Sequence, residues 1–255
     1  MTVRRLTALI CSSILLASLS VASVAPSAEA KPKITLTIFA ASSLSSSFTK
    51  IGTLFQRDNP GVALKFSFLA SSVLASQIAD GAPADVFAAA SNSDMQGVKD
   101  QTSKSRIFAT NTIVLAYPRG RKGPVTTFSD LNKKDVKWLQ CAAAVACGVA
   151  TNAALQSLGK VKTKPVSYEP KVASVVSKLL DGEVDAAFIY HSDYISNKDL
   201  LREVAFPDPR SASTNYPIAI LRESRHSLES QKFVTEVFSN RSRKILMNAG
   251  FGKVL

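Results

Sequence analysis

The sequence predicts a two-lobed α/β protein on three observations. Short apolar runs alternate with stretches of helical period from Ile34 onward, the pattern that βα units around largely parallel sheets produce. About 225 of the 255 residues remain once an export leader is set aside, enough for two modest cores. The apolar runs near residues 113–117 and 206–221 stand where a chain that had left a first lobe would return to it.

Residues 1–30 read as the leader. Arg4 and Arg5 supply a positive start, residues 6–24 an apolar stretch diluted by serines, and Ala28-Glu29-Ala30 a small-residue cleavage site. Cys11 follows Ile10, where a lipid-anchoring signal needs a small residue, and is expected to leave with the leader. No later stretch reaches the roughly twenty apolar residues of a spanning helix, so the processed protein is expected to be soluble outside the cytoplasm, in the periplasm or at the outer face of the membrane.

The elements follow in order. Residues 34–39 make the first strand; Leu44, Phe48, Ile51 and Phe55 then recur at helical spacing until Asp58-Asn59-Pro60-Gly61 breaks the pattern. Residues 62–68 alternate as a second strand, and a short helix over 72–79 ends at Asp80-Gly81. Strands are expected at 85–89, 113–117, 136–142, 186–190, 203–206 and 217–221, helices at 148–158 and 172–180, and one helical segment at 227–247. The expected division is residues 31–112 with 207–255 in lobe 1 and residues 113–206 in lobe 2, with a ligand cleft between them.

Without the leader the chain carries 29 basic and 18 acidic residues, a net charge of +11. The basic residues are scattered rather than gathered into an aromatic-laced stripe, which argues against nucleic acid as a partner. A positive field also speeds the arrival of a small anion. Cys141 and Cys147, six positions apart, are expected to form a disulfide in an oxidising compartment. A metal site is the weaker alternative, because His191 and His226 offer no ligand spacing with this pair.

Three strand ends run straight into helix starts with small residues: Phe39-Ala40-Ala41-Ser42-Ser43-Leu44, Ser67-Phe68-Leu69-Ala70-Ser71-Ser72 and Val145-Ala146-Cys147-Gly148. The first amides of a helix lack intrahelical partners and sit at the positive end of its dipole, so such a junction holds an anion without Lys or Arg. A serine before a helix is also an ordinary cap, so each junction alone carries either reading.

The first of these segments resembles the opening motif of the periplasmic molybdate-binding proteins, and Gln77-Ile78-Ala79-Asp80-Gly81-Ala82-Pro83-Ala84-Asp85-Val86-Phe87 resembles their most recognisable block. The resemblance continues in order through Cys147-Gly148, Phe188-Ile189-Tyr190-His191-Ser192-Asp193, Tyr216-Pro217-Ile218-Ala219 and Ala249-Gly250-Phe251. It implies the two-lobed periplasmic-binding-protein fold of type II, with mixed sheets flanked by helices and a hinge between lobes. It also implies a monomeric receptor for molybdate or tungstate that serves the membrane permease of an ABC importer, with no cofactor and no catalysis. The positions it matches to oxyanion contacts are Ser43 and Ser71 from the first lobe and Cys147, Val172 and Tyr190 from the second. None of them would coordinate the metal atom directly. The sequence departs from the family at Ala146-Cys147-Gly148, where Pro-Ala-Gly is common, and at the plain run Ala142-Ala143-Ala144.

A shell of neutral donors suits a dianion with no proton, each hydrogen bond to the charge contributing roughly 1.5 to 3 kcal/mol. With no Asp or Glu among the matched positions, hydrogen phosphate would find no acceptor for its own proton. Sulfate must be excluded by size, and it defines the nearest rival reading. A more distant rival is an exported hydrolase with Ser43 or Ser71 as nucleophile, against which stands the lack of a Gly-x-Ser-x-Gly elbow. Tyr190 is alternatively a core or rim tyrosine, His191 a rim residue, and Asp85 a cap for the neighbouring loop.

Overall fold

A computed structural model describes residues 34–120 and 125–253; the expected leader, with Cys11, and part of the basic turn at 118–124 lie outside the described residues. The chain runs β1 (Ile34–Ala41), a 3-10 turn (Ser42–Leu44), α1 (Ser45–Asp58), β2 (Val62–Leu69), α2 (Ser71–Ala79), β3 (Val86–Ala88), α3 (Asn92–Gln96) and β4 (Arg106–Pro118). It continues through β5 (Trp138–Cys141), α4 (Ala146–Leu158), β6 (Ser167–Glu169), α5 (Val172–Leu180), β7 (Ala186–Tyr190), α6 (His191–Ser196), β8 (Leu201–Ala205), β9 (Ser213–Ile220), α7 (Ser227–Val237) and α8 (Asn240–Asn248).

The strands lie in the order β2-β1-β3-β9-β4-β7-β5-β6, with β8 also on β4. Read from either end, the order is the same: an edge strand, a central strand and a third strand, mutually parallel, then one antiparallel strand. The antiparallel strand on β3 is β9 and the one on β7 is β4, and these two pair with each other. Mixed sheets with helices against them are the architecture that the alternating apolar pattern implied.

Two cores form on this frame. Leu36 and Ile38 of β1, Phe48, Ile51 and Phe55 of α1, Phe108, Tyr216 and Phe233 make the first, and a satellite under α2 and α3 adjoins it. Phe233 meets both Phe48 and Phe55 edge to face, the arrangement that ring quadrupoles favour. The second core gathers Ile113 to Ala116, Trp138, Val175, Leu179, Phe188, Phe206 and Ala212. The chain passes from one core to the other within β4, between Ala109 and Ile113, and returns within β9, between Ala212 and Tyr216.

Several elements differ from the sequence expectation. The strand expected at 113–117 begins at Arg106, because its first half, with Phe108 and Ala109 in the first core, pairs with β9 and its second half with β7 and β8. The helical segment expected at 227–247 is two helices; Ser239 breaks it by accepting from the Ser242 N–H and so starting α8 afresh. Short β6, α3 and α6 had no expectation. Cys141, at the end of β5, is joined to Cys147 in the first turn of α4, with Cα atoms 5.8 Å apart. This loop turns so tightly that a Cβ on Gly148 would overlap the Ala142 carbonyl. Among the described residues no helix is long and apolar enough to cross a membrane.

Candidate functional site

Four strand-to-helix junctions converge between the cores: β1 into the 3-10 turn, β2 into α2, β5 into α4 and β6 into α5. They enclose a cavity of about 20 Å³ whose lining includes Ser43, Ser71, Cys147, Val172 and Tyr190 together. Sequence reasoning had expected three such junctions; the fourth, Glu169-Pro170-Lys171-Val172, carries no small polar residue to betray it.

The residues before these four starts, Ala41, Ala70, Val145 and Lys171, offer no side-chain cap. Elsewhere Ser91 caps α3, Ser239 caps α8 and Asp208 caps the 3-10 turn Pro209–Ala212, although α1 and α7 also start uncapped. In α2 the first ladder bond is Leu74 N–H to Ala70 C=O at 3.1 Å, and in α4 it is Val149 N–H to Val145 C=O at 2.9 Å. The amides ahead of these bonds, Ser71 and Cys147 among them, therefore belong to the unpaired first turn of each helix. Both serines lie inside their helices rather than at the capping position, Ser71 as the first residue of α2 and Ser43 as the middle residue of the 3-10 turn.

The hydroxyls are held from behind. Ser71 Oγ accepts the Ala90 N–H at 2.9 Å, leaving its own hydrogen to give. Ser43 Oγ lies 2.8 Å from the Tyr216 hydroxyl, which also receives Asn111 Nδ2 at 3.4 Å. Tyr190, at the end of β7, is 1% exposed, and its hydroxyl is buried without a hydrogen-bond partner. Burial first, then the neighbouring Tyr216 and Asp193, hold its pKa well above the usual tyrosine value, so the group stays a neutral donor. A buried hydroxyl with no partner costs about 1 to 3 kcal/mol, which marks a place where a partner belongs.

No carboxylate lines the cavity. The nearest to the Tyr190 backbone is Asp193, whose Oδ2 accepts the Tyr190 N–H at 3.2 Å and whose carboxyl is pushed up to about 7 by desolvation, against the lowering effect of that bond. Lys171, the residue before α5, does line the cavity, which sequence reasoning did not expect; neither did it find Tyr216 or Asn111 as supports of Ser43.

The remaining singled-out residues lie elsewhere in their bonding. His191 Nδ1 pairs with Glu203 at 2.8 Å, while the two cavity serines contact Tyr216 and the Ala90 amide. Asp85 accepts from the Thr37 N–H at 2.7 Å and the Ser224 hydroxyl at 2.6 Å, tying β1 to the segment after β9. Larger open grooves of about 830 and 460 Å³ lie away from the helix starts, the first beside Asp85 and His226 and the second beside Arg106 and Phe238.

The family model for bacterial extracellular solute-binding proteins matches residues 36–252. The molybdate-binding protein ModA of Mycobacterium tuberculosis is 36% identical over 221 residues, covering 86% of this chain and 84% of that protein. Among solved structures, the periplasmic molybdate-binding protein of Azotobacter vinelandii superposes with a TM-score of 0.74 at 16% identity, over 86% of this chain and 99% of its own. The sulfate-binding protein SubI of Mycobacterium tuberculosis superposes with a TM-score of 0.75 at 16% identity, over 87% of each chain. At such identities the two superpositions establish the fold alone, that of the periplasmic binding proteins.

Proposed function

Since this chain belongs to the bacterial extracellular solute-binding protein family, we propose that it is an exported receptor which captures molybdate, and its near-isostere tungstate, and delivers it to the permease of an ABC importer. The ligand set is Ser43, Ser71, Cys147, Val172 and Tyr190, all as neutral hydrogen-bond donors, with no direct bond to the metal and no cofactor. The protein acts as a monomer and catalyses no reaction.

One observation carries this reading: an unpartnered buried hydroxyl, Tyr190, lines a cavity formed by four helix starts without side-chain caps. Donors gathered with no carboxylate among them call for a ligand made only of acceptors. A cavity of about 20 Å³ is on the scale of one or two water-sized groups, far below the several hundred Å³ of a pocket for an organic molecule, so the ligand is a compact inorganic ion. The 36% identity to a molybdate-binding relative supports molybdate as that ion.

Binding follows from the halves. Lobe 1 (residues 31–112 and 207–255) supplies the serines and lobe 2 (residues 113–206) the remaining contacts. An anion gripped from both sides favours the closed arrangement, and the closed form is what the permease recognises.

Sulfate is the second reading, because it too is a proton-free tetrahedral dianion made only of acceptors. Calorimetric titration with molybdate, tungstate, sulfate and phosphate separates the two. Molybdate and tungstate are expected to bind at least a hundredfold more tightly than sulfate; equal affinities would end the molybdate assignment.

A further inference from the structure

Ser43 can face a ligand with its hydrogen or with a lone pair, and what decides between them lies behind it. Asn111 sits in β4 where the chain crosses between the cores and is 1% exposed. Its Oδ1 accepts two backbone amides, Thr112 at 3.0 Å and Ser192 at 3.4 Å. Those two donors fix which end of the side chain is oxygen, so Nδ2 must face Ser192 Oγ at 2.8 Å and the Tyr216 hydroxyl at 3.4 Å. An amide nitrogen only donates, and Tyr216 Oη therefore accepts. The single phenolic hydrogen of Tyr216 is left for Ser43 Oγ at 2.8 Å. The Tyr190 hydroxyl lies close enough to Tyr216 for each to shift the other's titration, raising Tyr190 and lowering Tyr216, but it falls outside hydrogen-bond geometry, which leaves Ser43 Oγ the acceptor in place. Ser43 Oγ, already accepting, turns its own hydrogen toward the cavity.

We propose that Asn111 and Tyr216 are specificity-determining positioning residues: a one-way relay, Asn111 to Tyr216 to Ser43, that frees the Ser43 hydrogen for the cavity and so disfavours an oxyanion still carrying a proton. The inference rests on the molybdate reading and extends it to two residues outside the cavity lining. Without the relay a serine hydroxyl can give its hydrogen to Tyr216 and accept from hydrogen phosphate; with it, turning the remaining lone pair to the cavity leaves the serine hydrogen without that acceptor. The Ala90 amide imposes the same polarity on Ser71 through its backbone, where no substitution reaches it.

Two variants test the relay by calorimetry at pH 8, with sodium molybdate and sodium phosphate as probes, both dianions there. Tyr216→Phe keeps the ring and frees Ser43. Asn111→Asp replaces the donor by an acceptor, so Tyr216 donates backward, Ser43 donates to Tyr216, and a lone pair faces the cavity. Expected are a five- to tenfold loss of molybdate affinity in the first variant and a larger one in the second. In both, the molybdate-to-phosphate affinity ratio falls by tenfold or more. The ratio matters because lost packing or an added buried charge weakens two dianions alike. Parallel weakening, or an unchanged ratio, overturns the relay while leaving the receptor reading intact. Failure of the unsubstituted protein to bind molybdate overturns both. Should the Asn111→Asp chain not fold, Tyr216→Phe decides alone.

Discussion

The two halves of the molecule repeat one plan and spend it differently. In each, a central and an edge strand feed two helix starts to the cavity: β1 and β2 on one side, β5 and β6 on the other. The first half presents serine hydroxyls at those starts, each fixed by a contact from behind. The second presents Cys147 and Val172, whose side chains lie in the second core, so only their amides can serve the cavity, and it adds the Tyr190 hydroxyl from a third strand. Donors of the first kind depend on residue identity; donors of the second depend on where the backbone runs.

The largest effect expected from this contrast is in the first half. Ser43→Ala with Ser71→Ala removes two hydroxyl donors to a charged ligand and should cost about a hundredfold or more in molybdate affinity by calorimetry. In the second half a side chain acts only by moving the backbone. Gly148→Ala would drive a methyl group into the Ala142 carbonyl; overpacking of this kind costs about 1 to 3 kcal/mol, read as a lower denaturation midpoint, with weaker binding because the start of α4 shifts.

Tyr190→Phe separates binding from folding. It should lose about tenfold in affinity, one hydrogen bond to the anion, yet the ligand-free protein should melt at an equal or higher temperature because an unpartnered buried hydroxyl is gone. Smaller still is the expected effect on affinity of Cys141→Ser with Cys147→Ser. Loss of the short loop closure costs about 2 kcal/mol of stability in the chain-entropy model, while the amide at position 147 persists and affinity should stay within threefold. A pH series completes the comparison. Asp193 has its carboxyl raised to about 7 in the folded protein, so folding disfavours its ionised form. The resulting penalty is present above about pH 7 and is relieved as pH falls toward the ordinary carboxylate range. Melting temperatures should show this slope between pH 8 and 5, and Asp193→Asn should flatten it.

What was legible in the sequence follows the same division. The helix at Val172–Leu180 and the strand at Ala186–Tyr190 were read to the residue, since Val172, Val175 and Leu179 form one buried face and the strand is buried throughout. The break at Ser239 was missed because apolar residues lie on both sides of it, and only the serine side chain that caps α8 marks the restart. The first half of β4 hides as a strand because its partner, β9, lies about a hundred residues away. The five cavity residues were named through family resemblance; residue type alone left Ser43 and Ser71 as ordinary helix-start serines. Tyr216 and Asn111 escaped for a plainer reason: the contacts that give them a role span 173 and 105 positions.

The pairing of β4 with β9 at the crossing has a mechanical consequence. Thr110, Asn111 and Thr112 lie opposite Asn215, Thr214 and Ser213, so the only chain between the cores in the described sheet is a two-stranded antiparallel ribbon. Such a ribbon resists being pulled lengthwise, because two extended backbones would have to lengthen, but it flexes and twists at little cost. It behaves as a wrist. Because Asn111 and Tyr216 lie on it, a rotation there would part the far rims of the gap most and disturb these two residues, nearest the pivot, least.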